Sequence, residues 1–117
     1  MSKAATSVGV FGVYLVGTAA TLIVAPNMLL GLLKMEPTND PWIRVLGVVV
    51  ATLAGYYIAG ARAENTHFFR MTVWARVGVL AGFGGLVAFG VAPVQIIGFG
   101  VIDAVGAAWT WSALRSA

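Results

Sequence analysis

Pro41 to Arg62 reads PWIRVLGVVVATLAGYYIAGAR, a stretch whose only charged interruption before its terminal arginine is Arg44. As a helix it would be ~33 Å long, enough to cross the ~30 Å hydrocarbon core of a bilayer. Asp40 followed by Pro41 suggests a capped helix start, and Trp42 sits where an interfacial aromatic is favoured.

Working outward, three more segments repeat the pattern. Ala5 to Val24 is apolar and is interrupted by Pro26, and a second apolar run extends from Thr66 to Phe89. The last runs from Pro93 to Leu114 and ends with Trp109, Trp111 and Arg115. Between the first and second lies Asn27 to Lys34, too short to span and suited to the membrane interface. Lys3 ahead of an apolar run resembles a secretory leader. Ala25-Pro26-Asn27 lacks the small-x-small cleavage pattern, so we expect a retained first helix. The connections are short, which forces neighbouring helices to run antiparallel. The expectation is therefore an all-α, integral membrane, up-down-up-down four-helix bundle. It forms one domain over residues 1–117, with spans at about 5–24, 41–62, 66–89 and 93–114 and a short interfacial helix at about 27–34.

Composition agrees. Hydrophobic residues make up 60% of the chain and charged residues 9%, against about 25% charged in soluble domains. The net charge of +3 comes from seven Lys and Arg, but they are scattered singly, without the basic patch that nucleic acid requires. Cysteine is absent and His67 is the single histidine, which excludes disulfides, thiol chemistry and multi-histidine metal sites. Lys3, Arg62, Arg70 and Arg115 fall on one side of the bundle; Lys34 and Arg44 fall on the other with Glu36 and Asp40. By the positive-inside rule both termini are expected in the cytoplasm of a bacterial cell, with the chain in its inner membrane.

Two charges fall inside spans. Arg76 lies about ten residues into the third span, ~15 Å deep, and Asp103 lies at a comparable depth in the fourth. Ionisable groups at that depth are costly and need a reason. A charge-assisted Arg76–Asp103 bridge is the cheapest arrangement. It would either fix helix register or form a polar pocket for the head of a lipophilic ligand. Thr72, Trp74 and Tyr56 or Tyr57 are candidates to complete such a site. Arg44, near the start of the second span, would either snorkel to Asp40 or Glu36 or reach inward as a second cation.

Arg62, Glu64, Asn65, His67 and Arg70 form a polar turn on the cytoplasmic side. There Glu64 is expected to pair with Arg62 or Arg70, and His67 to act as an interfacial hydrogen-bonder. Phosphate or lipid-headgroup contact at this turn would be unspecific. Small residues recur at Gly47, Ala51, Gly55 and Ala59, at Gly78, Gly82 and Gly85, and at Gly100, Ala104 and Ala108. Such stripes allow close helix packing inside the bundle or between subunits.

The segments Val24-Ala25-Pro26-Asn27, Trp42-Ile43-Arg44-Val45-Leu46-Gly47, Phe68-Phe69-Arg70-Met71-Thr72-Val73-Trp74-Ala75-Arg76 and Asp103-Ala104-Val105-Gly106-Ala107-Ala108-Trp109-Thr110 resemble those of small bacterial four-span proteins grouped with DoxX-like membrane proteins. The resemblance covers nearly the whole chain and implies the four-helix fold. The association with a quinol oxidase that the DoxX name implies does not carry over residue by residue.

No nucleophile–base arrangement, metal-ligand spacing or phosphate-cradling loop supports an enzyme. The reading is a non-enzymatic membrane protein, an oligomeric scaffold or an accessory subunit of a larger membrane assembly. Its partners are membrane lipids and either copies of itself or other membrane subunits, without nucleic acid. No residue pattern identifies a cofactor; a lipid or quinone is the ligand class that its polar centre suits. The alternative is a small carrier or channel whose Arg76/Asp103 site lines a pathway.

Overall fold

The computed structural model describes residues 1–116; Ala117, included in the expected domain, lies outside the described residues. The chain is an all-α four-helix bundle. Its elements are α1 (Lys3–Val24), a short α2 (Pro26–Leu32), α3 (Trp42–Arg62), α4 (Thr66–Ala88) and α5 (Ile97–Arg115), the last entered through a single 3-10 turn at Val94–Ile96. Four helices are long and apolar enough to cross a membrane, and the longest dimension is 44 Å.

Local chemistry sets the ends. The Ser2 hydroxyl accepts from the Ala5 amide at 3.0 Å and caps α1; Asn65 Oδ1 accepts from the Phe68 amide at 3.0 Å and caps α4. Pro26 ends α1 and sits in the first turn of α2, where its missing N–H costs nothing. Asp40 does not cap α3, contrary to expectation. Pro41 is already helical and accepts the first backbone bonds from Arg44 and Val45. The Asp40 amide instead turns back to Thr38 Oγ1 at 3.0 Å.

The helices pack as two antiparallel hairpins, α1 with α3 and α4 with α5, joined chiefly through α1 and α5. In a bilayer, lipid competes equally for apolar side chains, so close backbone approach matters more than hydrophobicity. Two of the stripe glycines permit it: a Cβ on Gly47 would lie 2.7 Å from Ile23 Cγ1, and one on Gly100 would lie 2.9 Å from Leu80 Cα. The other stripe positions behave differently. Gly55, Gly78, Gly82 and Gly85 meet nothing within 4 Å, and Ala51, Ala59 and Ala108 are exposed.

α3 and α4 meet beside their connecting turn, where Tyr57 and Phe68 make an edge-on contact at 5.8 Å, and scarcely elsewhere. The buried core accordingly lies in the half that carries both termini, around Val8, Phe11, Ala54, Tyr57, Phe69 and Ala113. The opposite half is held at its end by loop contacts. Asn27 Oδ1 accepts from the Thr38 amide at 2.9 Å, and Gln95 Nε2 donates to the Lys34 carbonyl at 3.3 Å.

Candidate functional site

Arg76 is 1% exposed, the largest fully buried side chain in the molecule. Its Nε donates to the Thr72 carbonyl at 3.1 Å, and its Nη2 donates to Thr72 Oγ1 at 3.0 Å and Thr110 Oγ1 at 2.9 Å. The proton order beyond follows from valence. Ser7 spends its hydroxyl proton on the Ala4 carbonyl at 2.7 Å, so in its 2.8 Å contact with Thr110 the Ser7 oxygen accepts and Thr110 donates. Likewise Thr72 donates to the Phe69 carbonyl at 2.7 Å and is free to accept from Arg76. A one-way chain thus runs from Arg76 through Thr110 and Ser7 to the α1 backbone, tying α4, α5 and α1 together.

The guanidinium also lies against two rings, with Cζ 4.8 Å from the Phe11 centroid and 5.6 Å from that of Tyr57. Those distances are within cation–π range. Gly106 makes room for it: a Cβ there would stand 3.1 Å from Nη1 and 2.8 Å from Phe11 Cδ2.

The expected Arg76–Asp103 bridge is not formed. Arg76 spends three hydrogen bonds on Thr72 and Thr110, and Nη1 has no hydrogen-bond partner. The reason is positional. Thr72 is one turn back on the same face of α4, and it fixes the Nε–Nη2 edge toward the terminal half. Thr110 lies two turns beyond Asp103 on α5, ~10 Å along the axis.

Asp103 belongs to a second site. It is half-buried and lines a cavity of about 220 Å³ in the opposite half of the bundle, walled by all four long helices and by Leu29 of α2. Leu46, Val50, Val79, Phe83 and Phe99 are among its apolar wall residues; Asp103 is its only charged one, with Tyr14 and Thr18 adding hydroxyls. Thr18 spends its proton on the Tyr14 carbonyl at 3.0 Å, which leaves its oxygen as an acceptor. α3 and α4 make scant contact away from their turn, and the cavity lies where they part.

The remaining candidates do not join either site, apart from Thr72 and Tyr57. Trp74 is 70% exposed and Tyr56 67% exposed, both pointing out of the bundle. Two residues from Arg76, or ~200° around the helix, Trp74 could not share its face. Arg44 neither snorkels to an acid nor turns inward: its Nη1 donates to the Ile23 carbonyl. It thereby satisfies one of the open carbonyls at the end of α1, where the helix dipole favours a cation.

In the polar turn, Arg62, His67 and Arg70 are exposed. Glu64 adopts a left-handed φ of 52°, and its Oε2 accepts from the Ser2 amide at 2.9 Å rather than pairing with Arg62 or Arg70. Hydrogen bonding from Ser2, through hydroxyl and then backbone, holds its carboxyl below the ordinary value.

Ser7, Phe11, Tyr14 and Thr18 were not singled out from the sequence. All four lie on α1, spaced at three, four and seven residues along one face. Among the described residues no group of three or more potential ligands is placed to hold a metal ion. No protein-family model matches the chain, and no curated protein or solved structure shows significant similarity to it.

Proposed function

We propose that this chain is a non-enzymatic protein of the bacterial cytoplasmic membrane that holds a small lipophilic molecule between its two hairpins. It would act as a scaffold or accessory subunit of a larger membrane assembly, and the DoxX-like resemblance is compatible with that role. The observation that carries this reading is the intramembrane cavity beside the α3–α4 gap, apolar except for Tyr14, Thr18 and Asp103. A concave, largely apolar wall with a few converging polar groups is the usual form of a ligand site. A conducting pathway needs a continuous polar lining, and this wall does not supply one.

Topology and assembly complete the proposal. Lys3, Arg62, Arg70 and Arg115 support cytoplasmic termini under the positive-inside rule. The outward-facing glycines of α3 and α4 support contact with a second copy or another membrane subunit.

Photolabelling in native membranes with a small neutral alkyl diazirine tests the ligand site. Adducts should concentrate on the walls contributed by Tyr14, Phe83 and Asp103, and Val50→Trp, which fills the cavity, should abolish them. Adducts spread evenly over the outer faces of α3 and α4, and unchanged by Val50→Trp, would end the proposal.

A further inference from the structure

The cavity wall carries more specific chemistry than an acyl-chain groove needs. Asp103 is its single charged residue, and no cation lies along it. The nearest built-in cation, Arg76, is sealed at 1% exposure; its Nε and Nη2 are committed to Thr72 and Thr110, its plane lies against two rings, and its Nη1, which has no hydrogen-bond partner, makes none to Asp103. Arg44, the other cation in a long helix of this half, is committed to the Ile23 carbonyl. No described residue hydrogen-bonds the Asp103 carboxylate. An ionised carboxylate offers acceptors only, and at mid-membrane depth an unpartnered charge is costly. A cation delivered by the ligand would pair with it in that form.

Size and lining restrict that ligand further. A cavity of about 150 Å³ is enough for a benzene ring, so about 220 Å³ admits a ring or short chain with a small head. Phe83, Phe99 and Tyr14 present aromatic surface around it, which favours a cationic head over an anionic one. A phospholipid does not fit the same logic: its headgroup belongs at the interface, and its phosphate would face Asp103.

We infer that the cavity takes a small lipophilic ammonium compound, its head on Asp103 and its apolar body between Phe83 and Phe99. This rests on the ligand-holding reading above and adds the chemical class of the ligand. Entry is lateral, through the gap between α3 and α4, so the ligand partitions into the bilayer before it binds.

The test is a titration of purified protein in mild detergent with three probes of matched body: benzylamine, benzyl alcohol and toluene. A charge-assisted hydrogen bond is worth about 1.5–3 kcal/mol, so the amine, protonated at neutral pH, should bind wild type at least about tenfold more tightly than the alcohol. Asp103→Asn should erase that preference, and Asp103→Glu should keep part of it, which guards against a simple folding defect. Equal affinity for amine and alcohol in wild type would overturn the ammonium assignment and leave the cavity as a general lipophile site. If none of the three binds wild type more tightly than Val50→Trp, the ligand-holding reading itself fails.

Discussion

The half of the bundle that carries the termini and the half that carries the long loops use the same apolar residues, yet they hold charge in opposite ways. In the terminal half, α1, α3, α4 and α5 close around Arg76, which is wrapped by two threonines and two rings. In the opposite half α3 and α4 part, and Asp103 looks into a cavity. The difference shows that intramembrane charges need not pair with each other. A cation can be satisfied locally by hydroxyls, carbonyls and ring faces, while a carboxylate is left lining a cavity.

Stability should therefore respond very unequally to the two charges. Arg76→Ala removes a fully buried side chain, opens a cavity and strands the Thr110 oxygen, so a loss on the order of 3 kcal/mol is expected. Asp103→Asn breaks no hydrogen bond and removes an unpartnered charge, so it should leave stability unchanged or raise it. Reversible unfolding in mixed micelles measures both. Comparable losses for the two variants would mean that the charges are paired after all.

A smaller effect separates packed from unpacked glycines. Gly106→Ala drives a methyl to 2.8 Å from the Phe11 ring and 3.1 Å from Arg76 Nη1, an overpacking that costs about 1–3 kcal/mol. Gly78→Ala meets nothing within 4 Å and should be neutral or slightly stabilising, because alanine is the better helix former. The same unfolding assay would expose an error if Gly106→Ala proved silent.

The smallest effect lies at the surface. The Glu64 carboxyl sits below its ordinary value because it accepts from Ser2. Its contribution is therefore present above the unfolded carboxylate pKa and is lost as pH falls through the lowered one. Protection factors of amides near Ser2, corrected for the intrinsic pH dependence of exchange, should fall on acidification, and Glu64→Gln should flatten that dependence without moving the rest of the molecule.

The four spans were legible because length and apolarity alone specify a membrane helix; α3 was expected at 41–62 and begins at Trp42. Which way each helix faces was not legible. Lipid is as apolar as the core, so polarity does not mark the buried face. That is why Trp74 and the Gly55 and Gly78 positions were open to an inward reading and prove to face outward. Thr72 was recoverable, being four residues from Arg76 on one helix. Ser7 and Phe11 were not, because their roles depend on how α1 is rotated against α5. The Arg76–Asp103 pairing was a reading of depth alone, and depth does not report where a side chain's other partners stand.

Asp103 lines a cavity between the hairpins, separately from the sealed Arg76. Native membranes treated at mildly acidic pH with dicyclohexylcarbodiimide, a lipophilic reagent for protonated carboxyls, and mapped for adducts by mass spectrometry should show modification of Asp103, blocked by Val50→Trp and unaffected by Gly78→Ala. An Asp103 that stays unmodified, or one modified equally well with the cavity filled, would contradict that placement.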